Sequence, residues 1–315
     1  MKTNSQIFIL LFGAILGMVG CQSGSGGNSG PQPDANQHKP VGTTSSKACY
    51  QSDLCFTAIS ATQIVDTNHD YLYADPAGFP TPSLRGQYIA PSRFIDLNYV
   101  DGSAAIADSF IVKDFMDVTH GRYALISPEV VAIMQQIREA LGRAVYITSG
   151  YRSPGHNSST DGSAQWSRHM YGDGVDFSSA QPNYPELQTL CKKFDASFTL
   201  IYATHIHCDW RLHELDPAFY YTDIVTPKAL GEIAPEAQLI FEATSTNLNV
   251  KVRIAEGDSD DVNEGELIYQ WYAQDAQGHA LSSSASTLEL PIAGAPYTID
   301  VLVGGSIHLH QNWPQ

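Results

Sequence analysis

The sequence predicts an α+β domain followed by a small all-β sandwich. Between residues 110 and 215, helical and strand-like segments alternate without the regular βαβ period of a parallel sheet. Beyond residue 226 the pattern changes to short β-like runs separated by turn residues, at roughly the spacing of a sandwich. The 315 residues leave room for both parts, since a domain takes roughly 100–200 residues.

The N-terminal residues predict an exported lipoprotein. A basic residue precedes an apolar run at residues 7–19, which is shorter than an ordinary spanning helix. The run ends in Met-Val-Gly-Cys21, which resembles a bacterial lipobox, so residues 1–20 are expected to be a signal peptide and Cys21 the lipidated residue. A plain secretory signal with a chance cysteine is the alternative. Gln22 after the cysteine favours, by the same resemblance, the outer membrane facing the periplasm.

Residues 21–48 are rich in Gly, Ser, Asn, Pro and Gln and hold few apolar side chains. Such a composition cannot build a core and predicts a flexible tether. The folded α+β domain is then expected over residues 49–226, and we expect it to open with loops and short strands up to residue 125.

The clearest helix is predicted at residues 127–141. Ser127 is a natural N-cap, Pro128 suits the first helical position, and Gly142 ends the helix. Apolar side chains at helical spacing form one stripe along it. The other predicted elements of this domain are a helix from Tyr184 to Phe194 and strands at residues 144–148 and 198–210.

Residues 230–315 predict an immunoglobulin-like or PKD-like β-sandwich. Trp271 is the expected core anchor of this sandwich. The acid-rich stretch at residues 256–266 could bind calcium, although a solvated hairpin loop is the favoured interpretation. The β-like runs are residues 239–243, 250–254, 267–272, 287–290 and 297–303.

The net charge of −16 excludes some partners. Phosphate binding needs clustered Lys and Arg, so no nucleic-acid partner is expected. Electrostatic adsorption to anionic membranes is disfavoured for the same reason, and membrane contact is expected through the lipid anchor only.

Four cysteines remain beside the lipobox cysteine. An exported protein meets an oxidising compartment, where pairs can form. Cys49 with Cys55 is the local candidate, and Cys191 with Cys208 is a further one. The connectivity stays open, because both members of the second pair could equally be buried thiols.

Two segments carry metal-ligand chemistry. Ser-Arg-His169-Met-Tyr-Gly-Asp-Gly-Val-Asp176 offers an imidazole and a carboxylate seven residues apart, and His205-Ile-His207 offers two more imidazoles. Two imidazoles and one carboxylate are a common catalytic zinc set that leaves a fourth position to water. In His-x-His on a strand both side chains share one face, so one histidine can bind metal while the other points into the same cleft.

The motif Ser149-Gly-Tyr-Arg-Ser-Pro, then His-x6-Asp, then His-x-His resembles the zinc D-Ala-D-Ala carboxypeptidases and endopeptidases, a superfamily that includes lysostaphin and sonic hedgehog. The resemblance covers roughly residues 110–215. It implies that His169, Asp176 and His207 bind Zn²⁺. The family pattern Ser-x-His-x-x-Gly-x-Ala-x-Asp is met except at the alanine, where Gly174 stands.

The same resemblance implies that Arg152 faces the active site. A guanidinium there suits a terminal carboxylate or a developing oxyanion; a loop arginine in a surface ion pair is the alternative. The general base is where the resemblance is incomplete, because relatives often carry Glu or Asp at the position of Thr204. His205 and Asp209 remain as candidates for proton transfer, and Asp209 could instead orient a metal-bound imidazole.

The sequence therefore predicts a zinc peptidase of the cell envelope that cuts D-alanine-containing bonds in peptidoglycan stem peptides. The alternative is a hedgehog-like zinc-binding module with little or no hydrolysis, which binds peptidoglycan or a protein partner. A third interpretation is an adhesion lipoprotein in which the sandwich is the working part. The second is favoured by Thr204, and the first by the intact Ser-Gly-Tyr-Arg loop.

Overall fold

The computed structural model describes residues 47–314 except 52, 66–69, 81, 117–120, 161–162, 221–236, 255–266 and 306. All described residues belong to one compact unit. Cys21, most of the tether, the domain boundary near residue 226 and the acid-rich 256–266 stretch lie outside the described residues. None of the described helices is long and apolar enough to cross a membrane.

The first part of the described chain, to residue 220, is a mixture of short strands and four helices. Its helices are α1 (Val112–Phe115), α2 (Pro128–Leu141), α3 (Pro154–Ser159) and α4 (Tyr184–Lys193). Its strands are β1 (Lys47–Cys49), β2 (Cys55–Ser60), β3 (Arg93–Asp96), β4 (Ala105–Ala107), β5 (Phe110–Ile111), β6 (Tyr123–Ala124), β7 (Val145–Ser149), β8 (Gly174–Ser179), β9 (Phe198–Ile201) and β10 (Ile206–Asp209).

The strands of this part pair antiparallel throughout. One sheet has the order β7-β8-β10-β9 and contains Asp176 and His207; a second has the order β1-β2-β3-β6, while β4 and β5 form a small ribbon. Helix α4 packs against β9 and β10. A mixed arrangement of helices and antiparallel sheets is the predicted α+β class.

Helix α2 has the predicted ends. The Ser127 hydroxyl accepts a hydrogen bond from the Val130 amide, and Gly142 follows the helix with φ of 68°. Such a left-handed φ is available to glycine at no steric cost, which is why the helix ends there. The stripe of apolar side chains is buried, and Met134 and Ile137 are fully enclosed.

The second part consists of seven strands in two antiparallel sheets. Their orders are β11-β12-β15 and β14-β13-β16-β17. Trp271 is buried between strands, as a core anchor should be. The strands are β11 (Ala237–Ala243), β12 (Asn247–Ile254), β13 (Tyr269–Asp275), β14 (Ala280–Ser283), β15 (Thr287–Pro291), β16 (Tyr297–Val303) and β17 (Ile307–Trp313). The sequence-based prediction did not include β14 and β17.

Strand β9 packs against the apolar core of this second part. Its side chains Phe198 and Leu200, together with Tyr202, belong to the same buried apolar cluster as the sandwich residues. The Ile201 amide also donates a hydrogen bond to the Gly304 carbonyl (2.9 Å). Strand β9, which neighbours β10 in its sheet, is therefore packed against the sandwich.

Both predicted cysteine pairs are disulfides in the structure. Cys49 is bonded to Cys55 across the β1–β2 turn, and Cys191 on α4 is bonded to Cys208 on β10. Because Cys208 lies between His207 and Asp209, the second bond fixes the strand that carries these side chains against α4.

Candidate metal centre

His169 is presented by a short 3-10 helix, Arg168–Tyr171. The Ser167 hydroxyl caps this helix by accepting a hydrogen bond from the His169 amide (3.3 Å). The imidazole Nδ1 lies 2.6 Å from the Gly150 carbonyl oxygen. A carbonyl can only accept, so Nδ1 carries a proton and Nε2 is the nitrogen left for a metal ion, which would replace any proton there. A hydrogen bond of this kind orients a metal-binding imidazole.

Asp176 and His207 come from neighbouring strands. They are directly paired residues of β8 and β10, so their side chains leave the sheet on the same face. His207 Nδ1 lies 2.9 Å from Asp176 Oδ1. His169 Nε2 completes the group at 3.2 Å from His207 Nδ1 and 3.3 Å from Asp176 Oδ2.

The three residues can therefore offer their donor atoms to one point. These atoms all lie within 4.8 Å of one another, and all three residues are buried. In the part of the chain that the structure describes, these are the side chains whose donor atoms already lie close enough together to hold a metal ion. Two imidazole nitrogens and one carboxylate oxygen are a donor set that suits zinc and leaves a coordination position open.

Asp209 lies next to the His207 ring nitrogen that does not face Asp176. Its Oδ2 lies 3.4 Å from His207 Nε2, while Arg211 binds both of its oxygens, with Nε 2.8 Å from Oδ1. The Tyr88 hydroxyl continues the chain by accepting from Arg211 Nη1 (3.2 Å). Asp209 and Arg211 are fully buried. Both oxygens of Asp209 are thus engaged by Arg211 and His207, and the role of Asp209 stays a prediction.

Neighbouring charges shift the pKa values of Asp176 and His207. Burial alone would raise the pKa of Asp176, but the His169 charge and the hydrogen bonds from His169 and His207 hold that pKa well below its usual range. Burial alone would lower the pKa of His207, but Asp176 and Asp209 raise it to about 10. A metal ion must therefore displace a proton from His207, which makes metal affinity fall as the pH is lowered.

His205 lies at the edge of the group. Its Nε2 is 4.0 Å from Asp176 Oδ1, its Nδ1 is 3.1 Å from the Thr204 hydroxyl, and 18% of its side chain is exposed. The ring stacks on Tyr202 at 4.5 Å with an interplanar angle of 13°. His205 thus precedes β10, and its partly exposed imidazole lies beside the candidate ligand group.

Arg152 lies on the ligand carboxylate. Its Nη2 is 3.1 Å from Asp176 Oδ2, Nε donates to the Ser149 hydroxyl (2.9 Å), and Nη1 donates to the Ser163 hydroxyl (3.2 Å). The guanidinium is nearly buried. The structure therefore gives Arg152 a contact with Asp176, and its predicted contact with substrate stays a prediction.

Sequence reasoning missed two supports of the site. The carbonyl of Gly150 fixes the His169 tautomer, and a Cβ on Gly150 would lie 2.1 Å from the Phe115 carbonyl oxygen. The motif contains this glycine, but only the fold reveals the close approach that requires it. The Arg211–Tyr88 contact was the other omission, since it joins residues far apart in the chain.

Gly174, the departure from the family pattern, lies close to the His169 segment. A Cβ at this position would lie 3.0 Å from the Arg168 Cβ and 3.1 Å from the His169 amide nitrogen. Such contacts are tighter than most real ones, so this chain is packed around a glycine at the start of β8.

Comparison with known proteins agrees with this geometry. Residues 107–209, about a third of the chain, match the family model described as Peptidase M15. The matched stretch contains His169, Asp176 and His207. Peptidases of this family are zinc-dependent, so the chain is similar over this stretch to zinc metallopeptidases. No curated protein and no solved structure matches the chain. The likeness to hedgehog stays a prediction.

Proposed function

We propose that this protein is a zinc metallopeptidase that hydrolyses D-alanine-containing peptide bonds of peptidoglycan, as a D,D-carboxypeptidase or as a cross-link endopeptidase. The observation that carries the proposal is the buried convergence of His169, Asp176 and His207 within the stretch that matches Peptidase M15. The proposed substrate is the stem peptide, and the proposed setting is the cell envelope, which rests on the lipobox at Cys21.

The donor set fits zinc for a structural reason. His169 presents Nε2 because its Nδ1 donates to Gly150, and His207 presents Nδ1 because its Nε2 faces Asp209. When bound, zinc supplies the Lewis acidity that polarises a scissile carbonyl and lowers the pKa of water towards about 7. Three protein ligands and an open position are the pattern of a catalytic rather than a structural zinc site.

His205 is the residue we assign to proton transfer. It faces the ligand group, with Nε2 4.0 Å from Asp176 Oδ1, and it is partly exposed. Asp209 lacks that access because it is fully buried beneath His207. Thr204, at the position where relatives often carry a carboxylate, holds His205 Nδ1 through its hydroxyl (3.1 Å). An imidazole held in this way can take a proton at Nε2 or stabilise a developing oxyanion.

Arg152 has a supporting role in this proposal. Its contact with Asp176 Oδ2 favours the ionised carboxylate, which is the form that binds metal. The hydroxyls of Ser149 and Ser163 hold the guanidinium in that position.

The test combines metal content with product analysis. The purified full chain is assayed for bound zinc and then incubated with purified muropeptides, with and without a chelator. We expect about one zinc per chain and chelator-sensitive turnover. Released D-alanine identifies a carboxypeptidase, and loss of cross-linked dimers identifies an endopeptidase.

A matched variant separates this function from the zinc-binding module. His205→Gln keeps the metal ligands and should retain zinc while losing turnover. Bound zinc without any cleavage by the unmodified chain would favour the module instead, and the absence of a carboxylate at Thr204 is the observation that supports it. Absence of zinc from the unmodified chain would contradict both the peptidase and the zinc-binding module.

A further inference from the structure

The sandwich carries a second pair of histidines with the same spacing as the first. His308 and His310 lie on β17, the edge strand of the order β14-β13-β16-β17, and both side chains are exposed, by 65% and 54%. Because residues two apart on a strand share a face, both imidazoles point to the same side of this sheet. Asp300 lies on that face as the direct partner of His310 on β16.

Both imidazoles contact one carboxylate oxygen. His310 Nδ1 lies 2.8 Å from Asp300 Oδ1, and His308 Nε2 lies 3.5 Å from the same atom. The arrangement repeats that of β10 and β8, where His207 is the direct partner of Asp176 and His205 lies diagonally, 4.0 Å from Oδ1. In both places a histidine is the direct strand partner of an aspartate, and a second histidine two residues earlier lies near the same carboxylate.

We propose that Asp300, His308 and His310 form a second metal site, on the surface of the sandwich, for borderline divalent ions such as Ni²⁺, Zn²⁺ and Cu²⁺. Two imidazoles select these ions over Mg²⁺ and Ca²⁺, which prefer oxygen ligands. The donor atoms of this site do not lie as close together as those of the buried group, so the exposed rings must rotate to close around an ion. The remaining coordination positions are open to water.

The surroundings of the site fit this assignment. On the same face, the Thr298 hydroxyl donates to the Asn312 side chain (2.9 Å), so the polar surface continues along both strands. The chain carries a net charge of −16, which raises the local concentration of cations. The inference is independent of the proposed peptidase activity, because none of its residues belongs to the buried group.

The test titrates the zinc-loaded full chain with Ni²⁺ by calorimetry and follows zinc release at the same time. We expect uptake of about one Ni²⁺ per chain without zinc release, and loss of that uptake in His310→Ala and in His308→Ala. Asp300→Asn, which keeps the side-chain shape, should weaken it. Peptidase turnover should be unchanged in all three variants.

His279→Ala is the matched control. His279 is also exposed and also bonded to a carboxylate, with Nδ1 2.9 Å from Asp275 Oδ2, but it lies in the turn between β13 and β14, and no second histidine of the described residues contacts that carboxylate. This variant should take up Ni²⁺ like the unmodified chain. No uptake by the unmodified chain, uptake matched by zinc release, or uptake that survives in both His308→Ala and His310→Ala would each overturn the proposal. Circular dichroism verifies that the variants are folded.

Discussion

Two strands of this protein carry the second histidine of a His-x-His motif, and each of these histidines faces an aspartate on an antiparallel neighbour. In one case the paired residues are His207 and Asp176, and in the other they are His310 and Asp300. The first pair is buried, while the second is exposed to solvent. The same spacing on the same type of strand therefore yields two environments, and the difference lies in what surrounds the pair.

Three features separate the two pairs. A third candidate ligand, His169, reaches the buried pair from a 3-10 helix. Asp209 and Arg211 hold His207 from behind, and a disulfide fixes its strand. We infer that the buried pair is preorganised for tight binding, because its ring orientations are set before an ion arrives. The exposed pair must order its side chains on binding, which costs free energy.

The largest expected effect comes from removing a buried ligand. His207→Ala should abolish bound zinc and all zinc-dependent turnover, because two ligands cannot replace the set of three. Metal analysis of the purified protein measures this directly. His310→Ala is the control on the other strand and should keep the buried zinc. Full zinc retention in His207→Ala would remove the buried site proposed here.

His205→Gln should have the next largest effect. It should lower kcat by about 10²–10⁴-fold, the usual contribution of a positioned acid–base group, with zinc content unchanged. The equivalent change on the other strand, His308→Gln, should leave kcat as it is. An equal kcat in His205→Gln and the unmodified chain would show that His205 takes no part in catalysis. The comparison between the two strands would then not extend to function.

The contact of Asp209 with His207 is the third difference that can be tested. Asp209→Asn keeps the shape of the side chain but removes its charge, and we expect the affinity for zinc to fall by about 10–100-fold. Competition with a chromogenic chelator measures the affinity. An unchanged affinity would show that His207 is held by its contacts with Asp176 and His169 alone.

The sequence predicted the elements whose ends and spacing depend on residues close together in the chain. Helix α2 begins after Ser127 and ends before Gly142 because both ends satisfy backbone groups locally. The buried stripe along α2 follows from helical spacing in the same way. Strand β13, which contains Trp271, lies where the sequence shows a β-like run between turn residues.

Long-range contacts could not be foretold in this way. The hydrogen bond from His169 to the Gly150 carbonyl and the contact of Arg211 with Tyr88 depend on how distant segments pack. Strand β17 was missed although its sequence alternates, because His308 and His310 occupy exposed positions where a hydrophobic pattern carries no information. The second His-x-His was overlooked for that reason.

Gly174→Ala tests how tightly the buried site is packed. The added methyl group would lie 3.0 Å from the Arg168 Cβ, so the helix carrying His169 must give way by a few tenths of an ångström. We expect a loss of about 1–3 kcal/mol in the free energy of unfolding, the usual cost of overpacking, with zinc still bound. Urea unfolding measures the loss. A gain in stability would mean that this chain tolerates the family's alanine.

The smallest expected effect concerns a histidine–carboxylate pair of intermediate burial. His213 Nδ1 lies 3.0 Å from Glu129 Oε1, and Nε2 lies 3.0 Å from the Asp195 carbonyl oxygen. Burial alone would lower the pKa of His213, but the hydrogen bond and charge of Glu129 raise it above its ordinary value. A raised folded-state pKa means that the pair stabilises the fold fully below the unfolded-state value of about 6.5, and that this stability is lost as the pH rises through the folded-state pKa.

His213→Gln should therefore lower the free energy of unfolding at mildly acidic pH and much less in alkaline solution. Because Glu129 is 45% exposed, solvent screens the pair, and we expect a loss of only about 0.2–1 kcal/mol. Urea unfolding of both proteins across this pH range measures the difference. An equal loss at every pH would mean that His213 acts through packing rather than charge. A loss that depends on pH in this way would show that the His213–Glu129 contact stabilises the fold through charge. Its strength could then be compared with that of the buried His207–Asp176 pair and the exposed His310–Asp300 pair, to test whether burial sets the strength of such contacts.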